Sequence, residues 1–423
     1  MRSEVPPGWR WSTVQGVVDS NRRVTYGIVQ PGPRQEHGGV PIIRGQDYSG
    51  GQVDDSDLYR VSDDIAAQYH RSTLQSGDIL LSIVGYPGLT AMVPDHLTGA
   101  NLTQTTARIA IDGSNDRRFF HYQFQGPAFE MEVRKYTKGS AQPGLNLADV
   151  DRMRVVVPPL PEQKKIAAIL SSVDDAIQAT EAVIVQTRRV KEGLLQDLLT
   201  KGIGHTRFKQ TEIGEIPEEW GVRRLGEILP TSDGIKPGPF GSSLTKSKYV
   251  AAGFKVYGQE QVLAGDLSVG SYYITERHYL ELRKFAVEAG DLLLTLVGAG
   301  TPGKVLVVRR PFEPGLINPR LIRIRPPSSV LSPQFLERVF EAPVTQREIL
   351  RIGQGGAMPV LSAGLVRSLW VPLPPIKEQA QIVGWLDEWD AGAKTAHEVL
   401  NLLVATKSGL LQDLLTGKVR VTV

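Results

Sequence analysis

The stretch Gly193-Leu194-Leu195-Gln196-Asp197-Leu198-Leu199-Thr200 recurs letter for letter as Gly409–Thr416. Each copy ends a long segment with helical periodicity, Glu162–Thr200 and Glu378–Thr416, and a constant offset of 216 residues lays one on the other. The first segment carries an apolar seam at 3,4 spacing through Ile166, Leu170, Val173, Ile177, Thr180, Ile184, Thr187, Lys191, Leu194 and Leu198. The second carries Ile382, Leu386, Trp389, Ala393, Ala396, Leu400, Leu403, Lys407, Leu410 and Leu414. A seam at that spacing is a coiled-coil stripe. Pro161-Glu162 marks the start of the first helix, and Gly202 and Gly417 follow the two ends. At 1.5 Å per residue each helix is about 58 Å long. Such a helix cannot bury its seam alone, and each copy has a natural partner in the other.

The repeat reaches beyond the helices. Pro6-Pro7-Gly8-Trp9 answers Pro217-Glu218-Glu219-Trp220, Gly45-Gln46-Asp47 answers Gly258-Gln259-Glu260, and Gly77–Leu81 answers Gly290–Leu294. Arg108-Ile109 answers Arg323-Ile324, and Pro143 answers Pro359. Asp78–Val84 and Asp291–Val297 read as strands between glycines, and Leu321–Arg325 as a half-exposed strand alternating apolar and Arg. Arg117–Tyr136 and Pro333–Leu350 read as helical, Val155–Pro159 and Val371–Pro375 as proline hinges, and Thr200–Pro217 as a polar linker. The expected fold class is α+β: two mixed, mainly β domains joined by two long helices in an antiparallel coiled coil, with a pseudo-two-fold repeat. The expected divisions are 1–158, helix 159–201, linker 202–216, 217–374, helix 375–417 and tail 418–423.

Hydrophobic content of 41% with 22% charged residues is that of a soluble chain with sizeable cores. A net charge of +3 permits an anionic partner without demanding one. With no cysteine, disulfides, Cys-based zinc sites and Cys nucleophiles are excluded, and the seven histidines form no H-x-x-x-H pair. No metal site is expected. No apolar run approaches the ~20 residues of a membrane span, and Met1–Trp11 lacks a signal-type apolar core, so the expected location is cytoplasmic.

Gly298-Ala299-Gly300-Thr301-Pro302-Gly303-Lys304 reads as a P-loop up to its lysine. Val305 then stands where the Mg²⁺-binding hydroxyl belongs, and Val305–Val308 reads as a strand rather than a helix. Asn318-Pro319-Arg320 matches only the start of an adenine-methyltransferase motif, with no cofactor fingerprint before it. No Ser/His/Asp set recurs in both halves, so no catalytic residue is expected. Basic residues are the stronger signal: Lys304–Arg351 holds nine Lys/Arg against four Glu. Arginine's planar fork suits phosphates and guanine edges, and glutamine suits adenine edges. The candidate DNA-binding residues are Arg44, Gln46, Tyr86, Arg108, Ser140, Gln142, Gln259, Lys304, Arg320 and Arg323. The loops Gly139–Pro143 and Gly353–Pro359 are candidates to present amides and hydroxyls to phosphates. Lys191 and Lys407 hold the same seam position, where a polar residue fixes register. Leu195, Leu199, Leu411 and Leu415 lie off the seam and suggest a further docking surface.

Pro159-Leu160-Pro161-Glu162-Gln163 with Ile166, its counterpart Pro374–Ile382, the twin GLLQDLLT ends, Gly238-Pro239-Phe240-Gly241-Ser242 and the twin Gly-Asp strands together resemble the specificity subunits of type I restriction–modification systems. The second hinge departs from the pattern, reading Pro-Pro-Ile-Lys-Glu-Gln. The resemblance implies that the globular halves are target recognition domains, each reading half of a split site in double-stranded DNA. It implies that the helices set the spacer between half-sites and dock two methyltransferase subunits. S-adenosylmethionine is then expected in those partners, ATP and Mg²⁺ in a restriction subunit where one joins, and no cofactor in this chain. Two other classes stand beside this reading: a coiled-coil scaffold without DNA readout, and a nucleotide-binding protein through Gly298–Lys304.

Overall fold

A computed structural model describes residues 5–139, 142–296, 302–353 and 361–422. The chain divides into two compact units, residues 1–182 with 398–423, and residues 183–397. Both long helices form, Leu160–Thr200 and Ile376–Leu415, and each contributes one part to either unit. All twenty seam residues are buried or half-buried. Within the first unit the start of one helix meets the end of the other: Lys407 Nζ lies 2.6 Å from Asp174. Within the second unit the roles are exchanged, and Lys191 Nζ lies 2.5 Å from Asp390. The two helices therefore run antiparallel in each unit, and both seam lysines bind a carboxylate of the opposing helix.

The off-seam leucines correct an expectation. Leu195 and Leu199 are buried in the core of the second unit and Leu415 in that of the first, while Leu411 packs against the latter. Each helix end is apolar on two faces because its own globular unit covers the second. The glycines past the ends have a related cause. Gly417 has φ +72°, and a Cβ there would lie 2.4 Å from Pro6. Gly202 has φ +63°, and a Cβ would lie 2.6 Å from the Trp220 ring. A left-handed residue closing a helix against such neighbours has to be glycine.

The first unit contains a four-stranded antiparallel sheet in the order Thr25–Tyr26, Thr106–Ile109, Ile79–Ser82, Thr90–Met92. Beside it Val40–Ile43 pairs antiparallel with Tyr59–Val61 and parallel with Asn101–Leu102. The second unit repeats the plan. Its four strands are Ile235–Pro237, Leu321–Ile324, Leu292–Thr295 and Val305–Val307. Phe254–Tyr257 lies between Tyr273–Ile274 and the parallel Gly315–Ile317. The plans diverge after the parallel pair: a small hairpin, Tyr48–Ser49 with Gln52–Val53, in the first unit, and a helix, Gln259–Ala264, in the second.

The predicted helices are each broken once, into Arg117–Gln125 and Pro127–Tyr136, and into Pro333–Glu341 and Pro343–Gly353. A residue before proline is driven out of the helical region, so Gly126 and Ala342 end the first member of each pair. The proline hinges are strands, Arg154–Val157 on Arg10–Thr13 and Trp370–Leu373 on Gly221–Arg224. The polar linker contains a hairpin, Phe208–Thr211 with Gly214–Pro217.

The Glu-Gln pair opening each long helix is a buckle. Gln163 donates to Pro158 O at 2.9 Å and accepts from the Asp116 N–H at 2.8 Å. Gln379 donates to Pro374 O at 2.9 Å and accepts from the Ser332 N–H at 2.8 Å. Glu162 accepts the Trp9 indole N–H at 3.1 Å, and Glu378 that of Trp220 at 2.9 Å. Buried amides and carboxylates so bonded lock the helix entry to its own globular unit, which is a structural role.

Candidate nucleic-acid interface

The structure describes nine of the ten candidates and separates the buried from the open ones. Arg108 and Arg323, expected on a DNA face, are 3% and 2% exposed. Each lies on the central strand of its sheet, covered on both sides. Arg108 donates to Arg71 O at 2.7 Å and Arg23 O at 2.9 Å. Arg323 donates to Ala286 O at 2.5 Å and to the Asp233 carboxylate at 2.6 Å. These guanidinium groups tie loop carbonyls to the sheet and cannot reach a groove, so they leave the candidate set. Arg325 is likewise engaged, with Asp291 at 2.7 Å.

In the first unit Arg44, Gln46 and Tyr86 line one open cleft of about 560 Å³, together with Ser82 and the turn Thr103-Gln104-Thr105. Its floor is the junction of the two sheets. Ile28 N–H bonds Leu102 O at 2.7 Å, and a Cβ on Gly27 would lie 1.8 Å from that same oxygen, so only glycine passes there. Arg44 is held by Asp47, Nε to Oδ2 at 2.9 Å and Nη2 to Oδ1 at 2.8 Å, which keeps the guanidinium firmly charged. Its group also stands 5.7 Å from the Tyr59 ring centroid. Gln46 is exposed on the adjoining turn. Tyr86 is 80% exposed on the loop between Ile79–Ser82 and Thr90–Met92, with Gly85 at φ +83° and Gly88 at φ +104° on either side. Exposed Gln142 belongs to the neighbouring loop, which meets the Tyr86 loop where Gly85 N–H bonds Pro143 O at 3.0 Å. Ser140 lies outside the described residues, as does Gln354–Pro359 of the second loop.

In the second unit Gln259 is half-buried at the start of its helix, while Lys304 and Arg320 are exposed. Gly238 repeats the close passage of Gly27: a Cβ there would lie 1.9 Å from Asn318 O. Asn318 accepts the Arg320 N–H at 2.8 Å through its side chain, so the Asn-Pro-Arg string is a capped turn. Lys304 leads into the strand Val305–Val307, where a P-loop requires a helix; Val297–Thr301 lie outside the described residues. Sequence reading missed Phe240, 87% exposed just beyond Gly238. An aromatic between two glycines was the available signal. It also missed the polar turn before the central strand, exposed Gln104 between half-buried Thr103 and Thr105, which lines the cleft.

Among the described residues no cluster of His, Asp or Glu is arranged to hold a metal ion, and no helix is long and apolar enough to cross a membrane. The open cleft of the first unit, with exposed Gln46 and Tyr86 at its rim, suits an extended partner better than a small enclosed substrate.

The sequence model of the type I restriction-modification DNA specificity domain matches residues 7–186. The MjaVIII specificity subunit of Methanocaldococcus jannaschii is 27% identical, over 69% of this chain and 68% of its own length. The putative MjaX specificity subunit of the same organism is 26% identical over 99% of this chain and 95% of its own. The EcoKI specificity subunit of Escherichia coli is 23% identical over 99% and 89%. In fold, the chain resembles one from a type I system solved for its complex assembly and conformational transition, with a TM-score of 0.63 over 98% of this chain and all of that one at 16% identity. It also resembles the S subunit of a type I restriction–modification system from M. genitalium, with a TM-score of 0.53 over 98% and 97% at 14% identity. Residues 7–186 match the DNA specificity domain, and with its twin helices and twin sheets the chain is similar along nearly its whole length to the specificity subunits of type I restriction–modification systems.

Proposed function

We propose that each unit reads one half of a split site in double-stranded DNA, and that the chain performs no chemical step itself. The observation that supports this most directly is the repetition of one open surface. In both units a glycine passes against the carbonyl of the residue that ends one sheet's strand or turn, Gly27 on Leu102 and Gly238 on Asn318, beside a turn that leads into the central strand. Groove readout requires amides, hydroxyls and guanidinium groups held on fixed turns, and these are the groups present. Methyl transfer then belongs to methyltransferase subunits docked on the long helices, with S-adenosylmethionine bound there. ATP and Mg²⁺ belong to a restriction subunit where the assembly includes one.

The test is selection from a randomised duplex pool by the full chain together with its methyltransferase subunit. The expected product is a motif of two defined halves flanking an unread spacer. Enrichment of no sequence, with binding that depends only on salt, overturns the reading.

A further inference from the structure

Thr105 and Arg320 occupy one position in the two repeats. Each is the last residue before the central strand of its sheet, Thr106–Ile109 or Leu321–Ile324. Each offers its carbonyl to the residue following the next strand: Ile83 N–H to Thr105 O at 2.9 Å, and Leu296 N–H to Arg320 O at 3.0 Å. Thr105 lines the open cleft of its unit, its hydroxyl 2.8 Å from that of Thr103. Arg320 has its backbone fixed by the Asn318 cap and follows Pro319, while its side chain projects from the surface. Among the described residues its guanidinium has no carboxylate partner, in contrast to Arg44 with Asp47, Arg323 with Asp233 and Arg325 with Asp291.

A rigidly mounted arginine with an uncommitted fork is equipped to bind the O6 and N7 edge of guanine in two hydrogen bonds. Threonine from the same mount is too short and lacks the fork. Building on the split-site reading above, we propose that this position is a specificity determinant of both units. Arg320 demands a guanine in the half-site of the second unit, and Thr105 makes no such demand in the half-site of the first. The position is therefore transplantable: an arginine at 105 writes a guanine into the other half.

The experiment compares motifs selected from a randomised duplex pool by wild type, R320T, R320K and T105R, each as the full chain with its methyltransferase subunit. R320T is expected to lose preference for guanine at one position of one half by roughly 5- to 150-fold, with the other half unchanged. R320K keeps the charge and can still donate to guanine O6 and N7 without the planar fork, and is expected to retain a weaker guanine preference at the same position. T105R is expected to gain a guanine in the opposite half. If wild type selects a split motif and both Arg320 variants reproduce it, or lose affinity equally for all sequences, the guanine assignment is overturned while DNA reading stands. If wild type selects no motif, both readings fall. A T105R chain that folds by circular dichroism and keeps the wild-type motif overturns the shared position; if it fails to fold, the Arg320 variants decide the guanine assignment.

Discussion

His121 lies in the first unit, 8% exposed, on the helix Arg117–Gln125. One ring nitrogen contacts the Gln125 amide at 2.8 Å, and Nδ1 has no partner among the described residues. Burial, reinforced by the nearby Lys407 ammonium and opposed by Asp174, pushes its pKa down to about 4. The folded state thus prefers the neutral ring, and the unfolded chain binds the proton more readily. The stability this contributes is fully present above pH ~6.5, the unfolded value, and is lost as pH falls from there toward 4. Over that window the first unit should lose up to roughly 3 kcal/mol from this residue. Denaturant unfolding of His121→Gln is expected to show a flatter dependence than wild type between pH 7 and 4.5. Equal slopes would mean that the ring finds a proton-accepting partner on acidification. Glu337 stands at the equivalent position of the second unit and accepts from Arg309 at 2.6 Å, so the effect should be confined to the first.

At the scale of the helices, the seam lysines are the polar contacts with the clearest energetic consequence. Each is half-buried against an aspartate of the antiparallel partner, but the two aspartates differ in what else they hold. Asp390 also receives Arg338 at 2.8 Å, whereas Asp174 has the Tyr122 hydroxyl at 2.8 Å. Removing Lys191 leaves Asp390 with a cation; removing Lys407 leaves Asp174 with only a neutral donor. Lys407→Ala is therefore expected to cost more than Lys191→Ala, on the order of 2 against 1 kcal/mol. Hydrogen exchange should show the loosening in 160–182 and 398–415 for the first variant, and in 183–200 and 376–397 for the second. Equal effects would make both lysines solvent-facing residues that happen to be paired. The seam was legible in the sequence because helical packing repeats at fixed local spacing. The strand Leu321–Ile324 was misread for the opposite reason. Alternating apolar residues and Arg has the period of a half-exposed strand, but Arg323 is buried against Asp233 and Ala286, far away in sequence. The open surfaces were partly legible, through Gln46, Tyr86 and Arg320. Thr105 was hidden because its place in the cleft depends on strands distant in sequence, through the Ile83 N–H bond to its carbonyl and the cleft walls around Arg44 and Tyr86.

At the scale of the whole molecule, the repeat gives each unit its own core and its own open surface. The core of the first draws on Trp9, Phe119, Phe120, Ile166, Leu170 and Leu414, and that of the second on Trp220, Phe335, Phe340, Leu198, Ile382 and Leu386. An exchange of recognition should therefore succeed if it preserves the buckle between globule and helix. In the first unit that buckle consists of the Trp9 indole on Glu162, the Gln163 amide bonded to Asn115 and Asp116, and Arg420, bound to Glu162 at 2.6 Å and to the Pro7 carbonyl at 3.0 Å. A donor segment replacing Met1–Val157 must carry the tryptophan and the Asn-Asp turn; the Pro7 contact uses backbone and imposes no side chain. With those kept, the hybrid should fold, and its selected DNA motif should change in one half only. The half read by residues 217–374 should keep its sequence, including the guanine assigned to Arg320. A hybrid that folds yet changes both halves together would show that the two surfaces read a shared set of bases. The repeat would then be a device for assembly rather than for independent recognition.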